Sequence, residues 1–329
     1  MKSTFFSHNP RTLPCPKRNQ YIEIPLPTER SLLRTFLHIA LGVVLEPWYV
    51  AAALVAKTPG VGIHLKCALW GLRMLLLRRM PIRAALSLAF FPMDSTRYFE
   101  FHEVLKRLAR VRFTAYLDVS SPRIVPLMLL AGQNDASASL INPDSSDIAE
   151  TEKLARALNL KNRCTFFNHT LERAHFSKNS FDLITCVSVL EHIPEDRKAV
   201  EMMWSMLRPG GRFVLTLPCM ARPIEQHISR NDYGVLSPGS DGYTFWQRFY
   251  DEERLHSVIF EITGLPAGFA VYGERRHGLF FRNATAKRLL GALYPFWRES
   301  YMMSREYLYF KKVSDLPGEG VAMFEFLKP

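Results

Sequence analysis

Glu191 and His192 directly follow a largely apolar run, Phe181 to Val189. A carboxylate and an imidazole at such a corner can take a proton from a hydroxyl or a protonated amine. They can equally orient the corner or line a ligand pocket without moving a proton. A second supply of reactive side chains lies between Arg222 and Tyr250, where His227, Tyr233, Asp241, Tyr243, Trp246, Arg248 and Tyr250 occur. These residues either wall a substrate site or simply pack under a long loop. His192, Tyr243 and His227 are the candidates for catalysis. A third group starts at Asp118, which closes the short run Tyr116–Val119 and precedes Ser120-Ser121-Pro122-Arg123-Ile124. No histidine has the spacing of a metal ligand set, so no metal is expected.

The elements that must position these residues follow from periodicity. Phe181 to Val189 is β-branched and apolar with little alternation, as a parallel strand covered on both faces requires. Glu191-His192-Ile193-Pro194 breaks it, and Pro194 suits the first turn of a helix. Glu195 and Asp196 stand where a helix N-terminus favours negative charge. Val200, Met203, Trp204 and Leu207 then keep helical spacing, Pro209-Gly210-Gly211 ends the helix, and Arg212 to Leu217 is a second buried strand. A strand, a crossover helix and a parallel strand make one right-handed unit. The same rhythm recurs upstream, with strands at 116–119, 137–142 and 164–168 and helices at 124–131 and 149–158. Downstream, 251–262 reads as helix, 268–272 as strand and 321–327 as a closing strand. The pattern predicts an α/β, Rossmann-like, doubly wound and mostly parallel sheet of seven strands with an antiparallel edge, its crevice at the strands' carboxyl ends.

The residues Phe181-Asp182, Val189-Leu190-Glu191-His192 and Leu207-Arg208-Pro209-Gly210-Gly211, in this order and followed by an apolar strand, resemble class I S-adenosylmethionine-dependent methyltransferases of the small-molecule type. The resemblance runs from about Tyr98 to the C-terminus. It implies S-adenosylmethionine as cofactor and methyl transfer to an oxygen, less readily a nitrogen, of a small or lipid-linked molecule. It also implies a cofactor site at Asp118, Ser120, Ser121, Asn142, Thr170, Leu171, Val187 and Ser188. Where the family has three glycines after its first strand, this chain has Ser120, Pro122 and Ile124. Where it has a ribose-binding carboxylate, Asn142 stands, with Asp144 two residues on. After the third strand comes Asn168-His169-Thr170-Leu171, with no carboxylate before Glu172. Asp118 either serves the ligand or caps the amides of its own turn. These departures motivate a second expectation of another class, a methyltransferase-like scaffold that has lost catalysis and acts as a binding or membrane-associated partner. A dinucleotide or nucleotide-sugar enzyme is disfavoured by the lack of a G-x-G-x-x-G turn.

The 329 residues suffice for one full α/β domain plus an appendage. The division expected is a basic, apolar, helical appendage over 1–93 and a methyltransferase-like domain over 94–329, with a helical insertion near 283–304 that serves substrate selection or dimer contact. The helix through Tyr98, Phe101, Val104 and Leu108 precedes the first strand, which makes Arg97, Tyr98 and Glu100 pocket candidates. Five cysteines show no C-x-x-C pair, and Cys164, Cys186 and Cys219 fall in or beside core strands. Reduced thiols and a cytoplasmic location, or the cytoplasmic face of a membrane, follow. The net charge of +11 belongs to residues 1–113, which hold 17 Lys+Arg against 6 Asp+Glu, whereas 114–329 hold 25 of each. Phe36 to Ala56 is long enough to span a bilayer, but Glu46 at its centre costs about 2.5–3.5 kcal/mol on insertion scales. An interfacial anchor against anionic lipid and a cap over the crevice remain the other two readings. Lys66 and Arg73 argue against deep insertion. Nucleic acid is not an expected partner, because the basic residues alternate with aliphatic ones.

Overall fold

The computed structural model describes residues 18–22, 32–229 and 236–329. Tyr233, singled out above, and Cys15, one of the five cysteines, lie outside the described residues. A short strand, β1 (Arg18–Ile22), comes first, and three helices follow: α1 (Leu32–Val55), α2 (Val61–Leu76) and α3 (Ile82–Phe90). Then α4 (Arg97–Leu108) leads into the alternating part: β2 (Ala115–Val119), α5 (Ile124–Ala131), β3 (Ser137–Ile141), α6 (Ser145–Ala157), β4 (Cys164–Phe167), β5 (Phe181–Val187), α7 (Asp196–Met206) and β6 (Leu207–Cys219). Two strands come next, β7 (Ile224–Ile228) and β8 (Thr244–Phe249). A helical stretch with a wide central turn, α8 (Glu252–Leu255) to α9 (Glu261–Thr263), precedes β9 (Gly268–Glu274). The chain ends with α10 (Leu279–Leu290), α11 (Glu299–Glu306), β10 (Tyr307–Phe310) and β11 (Gly320–Leu327).

The main sheet has the order β10-β9-β11-β6-β5-β2-β3-β4. From β6 to β4 all pairs are parallel, and β11, β9 and β10 join antiparallel. The seven expected strands are there, and β10 adds an eighth at the edge. Its Tyr-Leu-Tyr-Phe run has strong strand propensity, but it follows α11 without a turn, so periodicity gave no boundary. Buried side chains form one apolar layer on each face: Phe99, Val125, Leu127 and Tyr116 on one side, Val200, Met203, Ile259 and Phe324 on the other. Double coverage is what the unalternating β5 and β6 sequences require.

The stretch 222–250, expected as a loop, contributes β7 and β8; with β1 they form a separate three-stranded sheet in which β7 pairs with both of the others. Ile224 to Ile228 alternates buried and half-buried residues, the period-2 signal of a strand. It is only five residues long, which hid it among the surrounding polar residues.

Asp182 braces the sheet. Its carboxylate accepts the N–H groups of Thr114 and Ala115, both at 2.9 Å, and ion-pairs Arg208 at 2.6 Å. Partial burial works against ionisation, and these bonds outweigh it, holding the carboxyl down at about 2.

Candidate active site

Asp118 is the penultimate residue of β2, with its side chain turned into the protein. One carboxylate oxygen accepts the hydroxyls of Thr185 (2.6 Å) and Tyr116 (3.1 Å), and the other accepts the Ser121 N–H at 3.1 Å. Burial raises its pKa to about 6, against the lowering effect of those bonds. Asp118 therefore caps its own turn. Ser120 adopts φ of +52°, the left-handed conformation that glycine takes without cost. Its N–H and hydroxyl both bond to the Ile141 carbonyl, at 2.8 and 3.0 Å, which offsets the strain. The turn has thus kept the backbone shape of a glycine position while losing the glycine. Ser121 Oγ accepts the Val187 N–H at 3.0 Å and ties this turn to β5. Ile124 points into the apolar layer beneath α5.

Asn142 follows β3. Its amide donates to Asp147 at 2.9 Å, and its carbonyl oxygen accepts the Asp144 N–H at 2.9 Å. Asp144 caps α6, accepting the N–H groups of Ser146 and Asp147. Asp147 also pairs with Arg123 at 2.7 Å, and Glu150 lies 3.9 Å from the same guanidinium. Asn168 donates to the carbonyls of Asn142 and Pro143. Thr170 stands at the start of a short 3-10 turn, and Leu171 is buried in the apolar layer. Val187 is fully buried as well. Of the eight expected cofactor residues, then, Val187 and Leu171 place their side chains in the core. Asp118, Ser121 and Asn142 spend their polar atoms on neighbouring protein groups.

Beside this turn lies a cavity of about 390 Å³, within the range of small-molecule sites. Pro122, Arg123, Asp147 and Glu150 form its sheet-side wall, and Ala84, Leu88 and Phe91 from α3 and the residue after it form the other. Arg97 borders it and connects it to a second cluster. This residue donates to Glu100 of α4 at 3.2 Å, and Glu100 accepts Thr216 Oγ1 at 2.5 Å and the Ser188 hydroxyl. Ser188, directly after β5, has φ of +51°, so this corner too is strained in order to aim a side chain. No residue-level signal beyond the helix before the first strand pointed to Glu100. Its depth in the sheet's crevice, 1% exposed, is a tertiary fact.

Glu191 and His192 lie in a 3-10 turn, Leu190–His192, at the carboxyl end of β5. Glu191 is 3% exposed, and one of its carboxylate oxygens has no hydrogen-bond partner. Burial, reinforced by the Glu100 charge, pushes its pKa up to about 8. His192 Nδ1 sits 2.6 Å from the Trp246 carbonyl oxygen, and only a protonated Nδ1 can donate there. Burial pulls this imidazole down to about 4. At neutral pH both side chains are uncharged, with His192 Nε2 3.8 Å from the Glu191 carboxyl.

The other two catalytic candidates stand elsewhere. His227 on β7 stacks on Tyr21 at 5.4 Å, and Tyr243 meets Tyr21 edge-on at 5.0 Å. His227 Nδ1 is buried without a hydrogen-bond partner. Among the described residues these contacts make two groups, one on the main sheet and one on the small sheet, with Trp246 of β8 touching His192. Arg248 and Tyr250 bond to Asp196 of α7, together with Arg254. They hold the corner behind Glu191. Asp241 accepts the Tyr243 N–H.

The chain matches the methyltransferase domain family over residues 124–215. It is 30% identical over 78 residues to a ubiquinone biosynthesis O-methyltransferase of Coxiella burnetii, covering 24% of this chain and 30% of that protein. It is also 30% identical over 88 residues to a ubiquinone/menaquinone biosynthesis C-methyltransferase of Pseudoalteromonas translucida, covering 27% and 31%. These alignments span under a third of each relative's length. Among solved structures, a geranyl diphosphate methyltransferase with GPP and sinefungin superposes at a TM-score of 0.45 and 11% identity, covering 70% of this chain and 78% of that one. The matched segment holds α5, the Asn142 corner, β5 with its Glu191-His192 turn, α7 and most of β6, inside a sheet of the expected order. Over residues 124–215 the chain is therefore similar to methyltransferase domains.

Proposed function

We propose that the protein transfers a methyl group from S-adenosylmethionine to an oxygen of a small or lipid-linked molecule. The observation that carries this reading is the cavity between the Pro122–Ile124 turn and α3, linked through Arg97 to the buried Glu100. The volume suits a nucleoside. Asp147 and Glu150 offer the carboxylates that Asn142 lacks, and Ser120 keeps the left-handed turn. Bound S-adenosylmethionine supplies an electrophilic methyl on sulfur, so the protein's tasks are to align an acceptor and exclude water.

His192 is the group we assign to proton transfer. Its Nδ1–H is held by the Trp246 carbonyl, which directs the Nε2 lone pair toward the Glu191 side. An acceptor hydroxyl loses its proton as the C–O bond forms, and a neutral imidazole can take it. Protonated Glu191 keeps the site free of a second negative charge below about pH 8. His227 and Tyr243 wall the acceptor end in this reading. The two relatives named for quinone biosynthesis favour a lipid-linked acceptor. A cytoplasmic location, in solution or at a membrane face, fits the reduced thiols. Residues 1–93 then act as an appendage to the catalytic domain 94–329, with 283–304 as an insertion on it.

A specific observation favours a second reading, a scaffold without catalysis: three protein donors occupy Asp118, and Arg123 occupies Asp147. Incubation with methyl-labelled S-adenosylmethionine and a lipid extract separates the two. Label in a chloroform-soluble product that disappears in His192→Ala supports the enzyme. Cofactor binding without any label transfer supports the scaffold.

A further inference from the structure

Helix α1 is amphipathic in reverse. The side that packs on the protein carries Gly42, Glu46, Val50 and Ala53. Gly42 lies against Trp297, where a Cβ would come within 2.6 Å of the ring. Glu46, the one carboxylate between residues 32 and 93, faces inward with Oε1 3.1 Å from His64 Nε2, and His64 Nδ1 lies 2.7 Å from the Tyr98 hydroxyl. The outer side carries Phe36, Leu37, Leu41, Val44, Trp48 and Val55, with Trp48 75% and Val55 85% exposed. A helix against water does the opposite. The 20-residue stretch Phe36–Val55 has membrane-grade hydropathy, and only 22% of it is buried.

The neighbouring helices continue this surface. On α2, Leu65, Leu69, Leu72 and Leu76 recur at spacings of four and three and are all exposed, and on α3 Ile82 and Leu86 are exposed. Beside them stand Lys57, Lys66, Arg73, Arg78, Arg79 and Arg83, all exposed. Among the described residues none of these six cations pairs with a carboxylate. An apolar face fringed with unneutralised cations matches one chemistry, the acyl-headgroup boundary of an anionic bilayer, where leucines enter the hydrocarbon and lysine and arginine meet phosphate. A protein partner would need an acidic rim to answer those charges. A second copy of the chain would set like charges against each other.

We infer that the outer faces of α1, α2 and α3 dock on an anionic lipid bilayer, inserting into one leaflet without crossing it. Packing of the Gly42 side against the domain and the cations along α2 keep the helices in the interface plane. The inner side of α3, through Ala84 and Leu88, walls the cavity beside Pro122. Docking would therefore hold that cavity one helix away from the lipid. Vesicle binding is independent of the methyl-transfer reading; only the further step, that the acceptor arrives from the bilayer, rests on it.

The test is co-sedimentation of the full chain with phosphatidylcholine vesicles, with and without phosphatidylserine. Binding to the anionic vesicles that weakens in high salt is the expected result. The triple variant Leu37→Asp/Val44→Asp/Trp48→Glu should lower the partition coefficient by about tenfold or more. Lys66→Glu/Arg73→Glu should lower it severalfold on anionic vesicles and leave neutral ones unaffected. Unfolding temperature, read in parallel, shows that the solvent-facing changes leave the fold intact. S-adenosylmethionine affinity of the triple variant reports the cofactor site separately. Failure of the wild-type chain to bind either vesicle overturns the inference. So does a dimer in solution that the triple variant dissociates, because a second copy would then be the occupant.

Discussion

The two ends of the crevice are built on different terms. Around the turn after β2 the polar side chains have protein partners: Asp118 has three, Asn142 bonds at both its amide nitrogen and its oxygen, and Arg123 closes over Asp147. At the corner after β5 a buried carboxyl, Glu191, has an oxygen with no partner and a raised pKa. The first arrangement is what stability favours. The second costs free energy that packing elsewhere must offset, and groups held in that state gather at functional sites. The first region is locked by its own hydrogen bonds, and the second keeps a polar atom unsatisfied.

The largest effect should come from His192. His192→Ala is expected to reduce methyl transfer by about 10²- to 10⁴-fold with little change in cofactor affinity, measured as label incorporation at saturating S-adenosylmethionine. An equal loss of cofactor affinity would make His192 a wall of the cofactor pocket instead of a base.

Glu191 should contribute to the pH dependence of stability, alongside Glu319, whose carboxyl is also pushed up by burial. The folded pKa of Glu191, about 8, lies above the ordinary 4.5. Its stabilising contribution is therefore fully present below pH 4.5 and lost as pH rises toward 8. The upper bound on that loss is about 5 kcal/mol. Urea melts across this window should show the decline, and Glu191→Gln should make it shallower, with Glu319 and Asp118 supplying the remainder. A wild-type profile that is already flat would mean the carboxyl is solvated.

Asp118→Ala removes the acceptor of the Ser121 N–H and of one of the two hydroxyls, Tyr116 and Thr185 keeping their mutual bond, so a destabilisation of about 2–4 kcal/mol is expected in the same melts. Its effect on cofactor affinity decides the role: a loss confined to stability marks Asp118 as a turn cap only. Arg123→Ala should be milder, within about 1 kcal/mol of wild type in stability, since its ion pairs are half exposed. It should tighten cofactor binding by freeing Asp147. Ser120→Gly is the smallest change. Relief of the left-handed strain and loss of the Ile141 bond nearly cancel, leaving stability within about 0.5 kcal/mol.

The sheet was legible because its strands are buried on both faces. Phe181–Val187 and Leu207–Cys219 carry runs that only a covered strand tolerates, and Glu191-His192 marks their crevice end. The small sheet was not, because β7 is short and half polar and finds its partner β1 more than 200 residues away. Among the candidate residues, chain position located Asp118, Ser120 and Asn142 correctly at the strand ends. It could not reveal that each is already bonded, since that depends on Tyr116, Thr185 and Asp147 arriving from other elements. Glu100 and Arg97 were visible only as members of a helix before the first strand. The reversed face of α1 was half legible: hydropathy announced the segment, but only packing shows that Glu46 turns inward.

Calorimetric titration of the full chain with S-adenosylmethionine and with its demethylated product tests the central claim most directly. The account predicts one site per chain, lost when the cavity is filled by Ala84→Trp and strengthened by Arg123→Ala. Absence of heat and of any thermal shift at millimolar ligand, with Arg123→Ala equally silent, would contradict it.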